Sequence, residues 1–145
     1  MPPLDLPALR AAAFLLTEIE AVSSLGAEPG LSKPLMRLVD YGRGVDARKH
    51  LQVRACLESA AGVLRDAVGT GHVMLSPTVA DPAFAHGARP PSGQADFTTL
   101  ANIAGCPAIA IPRPGAVPPV SVQILGPVGS ERHLVALAQR LSACL

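Results

Sequence analysis

The sequence predicts an α/β fold of about three strands from a mixed sheet packed with about four to five helices, and three features predict it. Apolar residues recur at helical spacing in four separate stretches. Three short apolar runs, each closed by a proline or glycine, read as strands. Hydrophobic residues make up 49% of the 145 residues while aromatics make up 3%, so Ala, Leu and Val must build the core. Small and branched side chains of that kind suit helices packed on a sheet. The length allows one domain with a real core and not comfortably two.

The first helix is expected from Asp5 to Leu25. Asp5 is a natural N-cap, Pro7 falls in the first turn where its missing N–H costs little, and Gly26 follows the end. Leu9, Ala12, Ala13, Leu16 and Ile19 give it one buried stripe. After a break at Glu28–Gly30, Ser32 and Pro34 open a short helix carrying Leu35, Met36, Leu38 and Val39, which ends around Tyr41–Gly44. A longer helix runs from about Asp46 to Ala67 and stops before Gly69 and Gly71. Its core face is Val53, Leu57, Ala60, Leu64 and Val68, with Arg48, Lys49, Glu58 and Arg65 mostly on the other side.

Val73–Leu75 reads as a short strand stopped by Ser76 and Pro77. Thr78 to Gln94 is Gly- and Pro-rich, and loops of that length are usually functional or disordered. Phe97 to Ile103 is a short helix, with Asp96 placed to cap its start and Gly105 to close its end. Ala108–Ile111 and Val120–Leu125, joined by PRPGAVPP, form an antiparallel hairpin. Ser130 caps a final helix with Leu134, Leu137, Leu141 and Leu145 on one face. The chain is thus one domain over 1–145, helical over 1–69 and a strand, loop, hairpin and helix over 73–145. Three strands are too few to bury both faces of a sheet. Open edges and apolar faces left for missing helices imply self-association or a partner.

Composition excludes several classes. The formal net charge is +1, with a single Tyr and no Trp, so neither the basic face nor the stacking surface of a nucleic-acid binder is present. Cys56, Cys106 and Cys144 are odd in number and widely spaced, which argues against a disulfide framework and a zinc site. A reducing, cytoplasmic setting is the natural reading. The N-terminus lacks the charged opening of a secretory signal, and no apolar run approaches the ~20 residues of a membrane helix. No metal-ligating motif appears, and no cofactor is expected.

A nucleophilic serine needs a base within reach and donors for an oxyanion. Ser23-Ser24 is the only serine pair, with Ser76 and Ser92 in or beside the long loop. The available bases are Lys33, Lys49, His50, His72, His86 and His133, and no spacing links one to a serine. Ser23-Ser24 reads as polar residues at a helix end. Cys106 stands at an apolar corner where burial makes a thiol inert, and His86 reads as a solvated loop residue that a cleft would also admit. Asp96 has two compatible roles, helix cap and carboxylate facing a ligand's amide or amine. Mid-helix Asn is disfavoured, so Asn102 either satisfies a buried backbone group or faces a pocket.

VMLSPT, then DFTTLANIAGCPAIAIP, then PPVSVQILGPVGSERHLVALAQRL together resemble the C-terminal portion of the amidase signature family. The match runs through Phe97, Thr98, Asn102, Gly105, Pro107 and Ala108, and on through Val122, Gln123 and Gly126. It covers about Val73–Leu145, half the chain. The family's Ser–cis-Ser–Lys triad and its Gly/Ser-rich segment have no counterpart here, and neither Lys33 nor Lys49 stands in a comparable context. Ser121 also departs from a common glycine, and complete members are far longer, the rest falling before Met1.

The resemblance implies a C-terminal fragment or split subunit of an amide (C–N bond) hydrolase that supplies a wall of the substrate cleft without the triad. Asp96, Thr98 and Asn102 would be its substrate-binding residues, and no catalytic residue carries over. The implied partner is a complementing amidase N-terminal chain, or a further copy bound through an exposed sheet edge. A small amide would be substrate only when complemented. The alternatives are a non-catalytic module binding a small molecule or partner, and a remnant without function.

Overall fold

Asp5 accepts the Ala8 N–H at 3.0 Å, and from this cap α1 (Leu6–Leu25) runs with proline in its first turn. The fold is that of a computed structural model, which describes residues 3–69 and 71–144. Helix α2 (Lys33–Arg43) folds back along α1. The two backbones meet at Gly42, where a Cβ would stand 2.1 Å from the Glu18 carbonyl oxygen. Arg43 closes the pair by donating to the Gly26 carbonyl at 2.7 Å. Helix α3 (Ala47–Ala67) is capped by Asp46, which accepts the Lys49 N–H at 2.8 Å. Its buried face is Val53, Leu57, Ala60, Ala61 and Leu64, the stripe the 3.6-residue period predicts.

Strand β1 (Met74–Pro77) begins one residue later than expected and takes in Ser76 and Pro77. A 3-10 turn (Ser92–Ala95) and α4 (Thr98–Ala104) follow the long loop. Gly105 ends α4 in the left-handed conformation, φ 63°, which glycine adopts without the steric cost of a Cβ. Strands β2 (Ala108–Pro112) and β3 (Ser121–Leu125) form the expected hairpin, and α5 (Glu131–Ser142) closes the described chain. Leu145, expected on the α5 face, lies outside the described residues.

The sheet order is β1-β3-β2, with β3 antiparallel to both neighbours. The mixed sheet expected from the sequence is therefore corrected: both described ladders are antiparallel. Parallel pairing needs a crossover between neighbouring strands, and here β3 runs opposite to both of its neighbours.

Alternation then sorts the side chains. Leu125 and Gln123 share one face with Met74, and Leu125 joins a core with Leu9, Val53, Leu57, Leu64, Val68, Leu100 and Ala104 from α1, α3 and α4. Ile124 and Val122 share the opposite face with Ile109 and Ile111, which pack against Leu134, Ala138, Leu137 and Leu141 of α5. Helices cover both faces but not evenly. Helix α5 lies over β2 and β3, leaving Leu75 of β1 57% exposed although its ladder partner Ile124 is fully buried. On the other face Ala108 and Ala110 of β2 are exposed.

Candidate functional site

The helix that carries Thr98 and Asn102 is fixed at both ends. At its start, the buried Gln123 of β3 donates from Nε2 to the Phe97 carbonyl at 3.1 Å, and the Thr99 hydroxyl donates to the Ala95 carbonyl. At its end, Arg65 Nε of α3 donates to the Ala104 carbonyl at 2.7 Å, satisfying one of the carbonyls a helix leaves without an internal partner. The inner face of α4, with Leu100, Ala101 and Ala104, is buried in the larger core.

Asp96 does not cap this helix, contrary to the expectation from sequence. Phe97 holds the N-cap position and no side chain caps it. Asp96 and Phe97 both have helical torsions, φ −57° ψ −40° and φ −90° ψ −38°, because the 3-10 turn runs directly into α4. A side-chain cap needs an extended residue at that point. The Asp96 carboxylate instead takes a charge-assisted hydrogen bond through Oδ1 from Arg10 Nη1 of α1. The pair is mostly withdrawn from water, with side chains 17% and 13% exposed. The second oxygen, Oδ2, lies over Gly93, where a Cβ would approach it to 3.0 Å. Gly93 thereby admits the carboxylate.

Thr98 and Asn102 stand four residues apart and so share a helix face. The Thr98 hydroxyl lies 3.5 Å from the Ala95 carbonyl. Asn102 is exposed and lines a groove of about 260 Å3 with Leu16 of α1 and Arg54, Leu57, Glu58 and Arg65 of α3. Of its two expected roles, the structure shows the pocket-facing one. Asp96 stands at the opposite end of α4, so the three residues lie along the helix and do not converge on one point. Beside them, the Ser121 hydroxyl donates to Thr78 Oγ1 at 2.7 Å, tying the start of the long loop to β3.

Among the described residues none of the nucleophile candidates hydrogen-bonds to a base. Ser23 and Ser24 are exposed and donate to the Glu20 carbonyl at 2.8 and 3.2 Å, as polar residues at a helix end do. Cys106 donates weakly to the Ala104 carbonyl at 3.7 Å. Ser92 and His86 are exposed in and after the long loop, and Lys33 and Lys49 are exposed on helix starts. The Ser76 and Ser130 hydroxyls and His50 Nε2 are buried with no partner among the described residues. Within that same set no serine or cysteine hydrogen-bonds to a histidine or lysine, and no three His, Cys, Asp or Glu side chains gather to hold a metal. No described helix is long and apolar enough to cross a membrane.

The parts that two residues play in shaping this site escaped the sequence reading, although Gln123 was named there among the residues of the resemblance. Arg10 sits 86 positions from Asp96, and no local pattern connects them. Gln123 left a signal, a buried amide on a strand of otherwise apolar central residues, which calls for a partner.

Protein-family models and curated proteins give no match to this chain. Solved structures do. An amidase superposes with a TM-score of 0.79 at 22% identity, over 98% of this chain and 36% of its own. A bacterial aryl acylamidase of the amidase signature family gives 0.70 at 16% identity, over 92% of this chain and 33% of its own. A 6-aminohexanoate cyclic dimer hydrolase gives 0.59 at 23% identity, over 94% and 33%. The chain spans about a third of the length of the structures it matches. Its fold, through nearly all its residues, is that of a part of an amidase signature enzyme.

Proposed function

We propose that this chain is one part of an amide hydrolase and supplies a wall of the substrate cleft, while a second polypeptide supplies the nucleophile and base. The observation that carries this reading is the pairing of coverages: 98% of this chain is matched by 36% of an amidase. The remainder of the fold, with the Gly/Ser-rich triad segment, would come from the other polypeptide. The wall is α4 and its approach. Thr98 and Asn102 present a hydroxyl and an amide on one face, and Asp96 Oδ2 keeps lone pairs for a ligand N–H while Oδ1 is held by Arg10. That arrangement orients an amide and does not cleave one.

The test is hydrolysis of an aryl acylamide such as 4-nitroacetanilide. The purified chain alone should show no turnover above buffer, and Ser23→Ala with Ser24→Ala should leave that baseline unchanged. Co-expression with a polypeptide bearing the Gly/Ser-rich segment should give turnover, which Asn102→Ala reduces through KM. Turnover by the chain alone that the double serine variant abolishes would overturn the proposal.

A further inference from the structure

Arg10 of α1 and Asp96 meet at the start of α4, 86 positions apart in the chain and mostly withdrawn from water. Arg10 Nη1 donates to Oδ1 of the carboxylate, while Oδ2 makes no hydrogen bond or ion pair among the described residues. The neighbour of Oδ2 is Gly93. A Cβ at that position would stand 3.0 Å from Oδ2 and 3.4 Å from the Ala80 methyl. Glycine at 93 thus keeps the space beside Oδ2 open between the two feet of the long loop.

Charge decides what such an oxygen takes up. A lone carboxylate attracts an ammonium and accepts from an amide N–H alike. Paired with a guanidinium, Asp96 belongs to a unit of zero net charge, and an arriving cation meets attraction from one partner and repulsion from the other. The ammonium also gives up its hydration to reach a site mostly out of water, and a pair already neutral repays little of that cost. A neutral amide N–H loses far less on leaving water, and it gains a hydrogen bond to a charged oxygen, stronger than one between neutral groups. Further along α4 the balance leans the same way: the groove beside Asn102 is bordered by Arg54 and Arg65 against Glu58.

We propose that Arg10 is a specificity-determining residue: by holding Oδ1 and cancelling the charge of Asp96, it leaves Oδ2 to accept the N–H of an uncharged amide and turns away a protonated amine. This inference rests on the reading of Asp96 as part of the ligand wall, and it adds the class of ligand that the wall admits. The other two wall residues, Thr98 and Asn102, offer uncharged groups as well. The preference suits amide hydrolysis. Cleavage of an N-alkyl amide releases an alkylamine, which holds a proton at neutral pH as a lysine side chain does. A wall of this kind keeps the amide and lets the ammonium product go.

Titration of the full chain with N-benzylacetamide and with benzylammonium chloride, followed by the backbone amide NMR signals of residues 96–102, tests this. The wild type should prefer the amide by at least about tenfold. Arg10→Gln removes the charge and should shift the preference toward benzylammonium by about tenfold or more, and Arg10→Lys should restore it. A merely structural role for Arg10 would weaken both probes together; an unchanged ratio in Arg10→Gln would therefore overturn the proposal. Gly93→Ala leaves the ion pair in place and carries the test should Arg10→Gln fail to fold by circular dichroism. It should weaken the amide by crowding Oδ2, and undiminished amide binding would count against the proposal. Benzylammonium binding to the wild type as tightly as the amide would overturn it while leaving Asp96 a ligand contact. Failure of both probes to shift these signals would withdraw Asp96 from the wall, and the inference with it.

Discussion

Breaking the Arg10–Asp96 pair should loosen α1 from the start of α4, and its cost follows from how little water reaches it. Exposed ion pairs contribute about 0–1 kcal/mol, while removing one partner of a fully buried pair costs about 3–5 kcal/mol. With side chains 17% and 13% exposed, this pair sits nearer the buried end, and Arg10→Ala or Asp96→Ala should each cost about 2 kcal/mol. At roughly 2–4 °C per kcal/mol for a domain of this size, the melting temperature should fall by about 4–8 °C. The double variant should cost little more than either single one, giving a coupling of about 1–2 kcal/mol in a double-mutant cycle by urea denaturation. Salt supplies the control. Arg43 and Asp40, with side chains 49% and 68% exposed, should lose their small coupling at 1 M salt, where the screening length is about 3 Å. The Arg10–Asp96 coupling should persist. Additivity of the two single changes within about 0.5 kcal/mol would refute the view that the pair acts as one tie.

Three further changes and one control probe the frame around α4 and the helix pair. Gln123→Leu keeps the volume but leaves the Phe97 carbonyl without its donor, and should lower stability by about 1–3 kcal/mol in urea unfolding. Gly105→Ala meets no atom nearer than Arg65 Nη2 at 3.7 Å; its cost of about 1–2 kcal/mol is the left-handed torsion alone, read from the thermal midpoint. Gly42→Ala forces α1 and α2 apart at the Glu18 carbonyl and should cost about 1–3 kcal/mol, whereas Gly62→Ala, with nothing within 4 Å, should be neutral or slightly stabilising by helix propensity.

The helices were legible because their signals are local. The Asp5 cap, the start of the long helix at about Asp46 and the buried Val53–Leu64 face follow from residue type and spacing within a turn or two. The hairpin was legible for the same reason. Asp96 misled because a cap is recognised by residue type, while its realisation depends on the torsions that precede it, and the 3-10 turn over Ser92–Ala95 kept those helical. Ser130, expected as a cap, likewise holds the N-cap position at φ −91° ψ 11° without making the cap hydrogen bond. Arg10 was invisible because its role is set by the packing of α1 against α4, a contact between segments far apart in the chain. Asn102 was half legible: its poor helix propensity marked it as unusual, but only the groove beside α3 shows which of its two roles it takes.

The two regions singled out by the structure differ in kind. Around α4, three polar groups are answered: the buried Gln123 amide finds a carbonyl, the withdrawn Asp96 carboxylate finds a guanidinium, and the helix end finds Arg65. Ties of that kind hold α4 in place, as the proposed wall would require. Along β1, the departures are left open. Fully burying a leucine contributes about 1.5–3 kcal/mol, yet Leu75 keeps more than half its surface in water, and its backbone donor and acceptor face away from β3. A core that closes over Leu64, Ile111, Ile124 and Leu125 leaves that stabilisation unused at one edge.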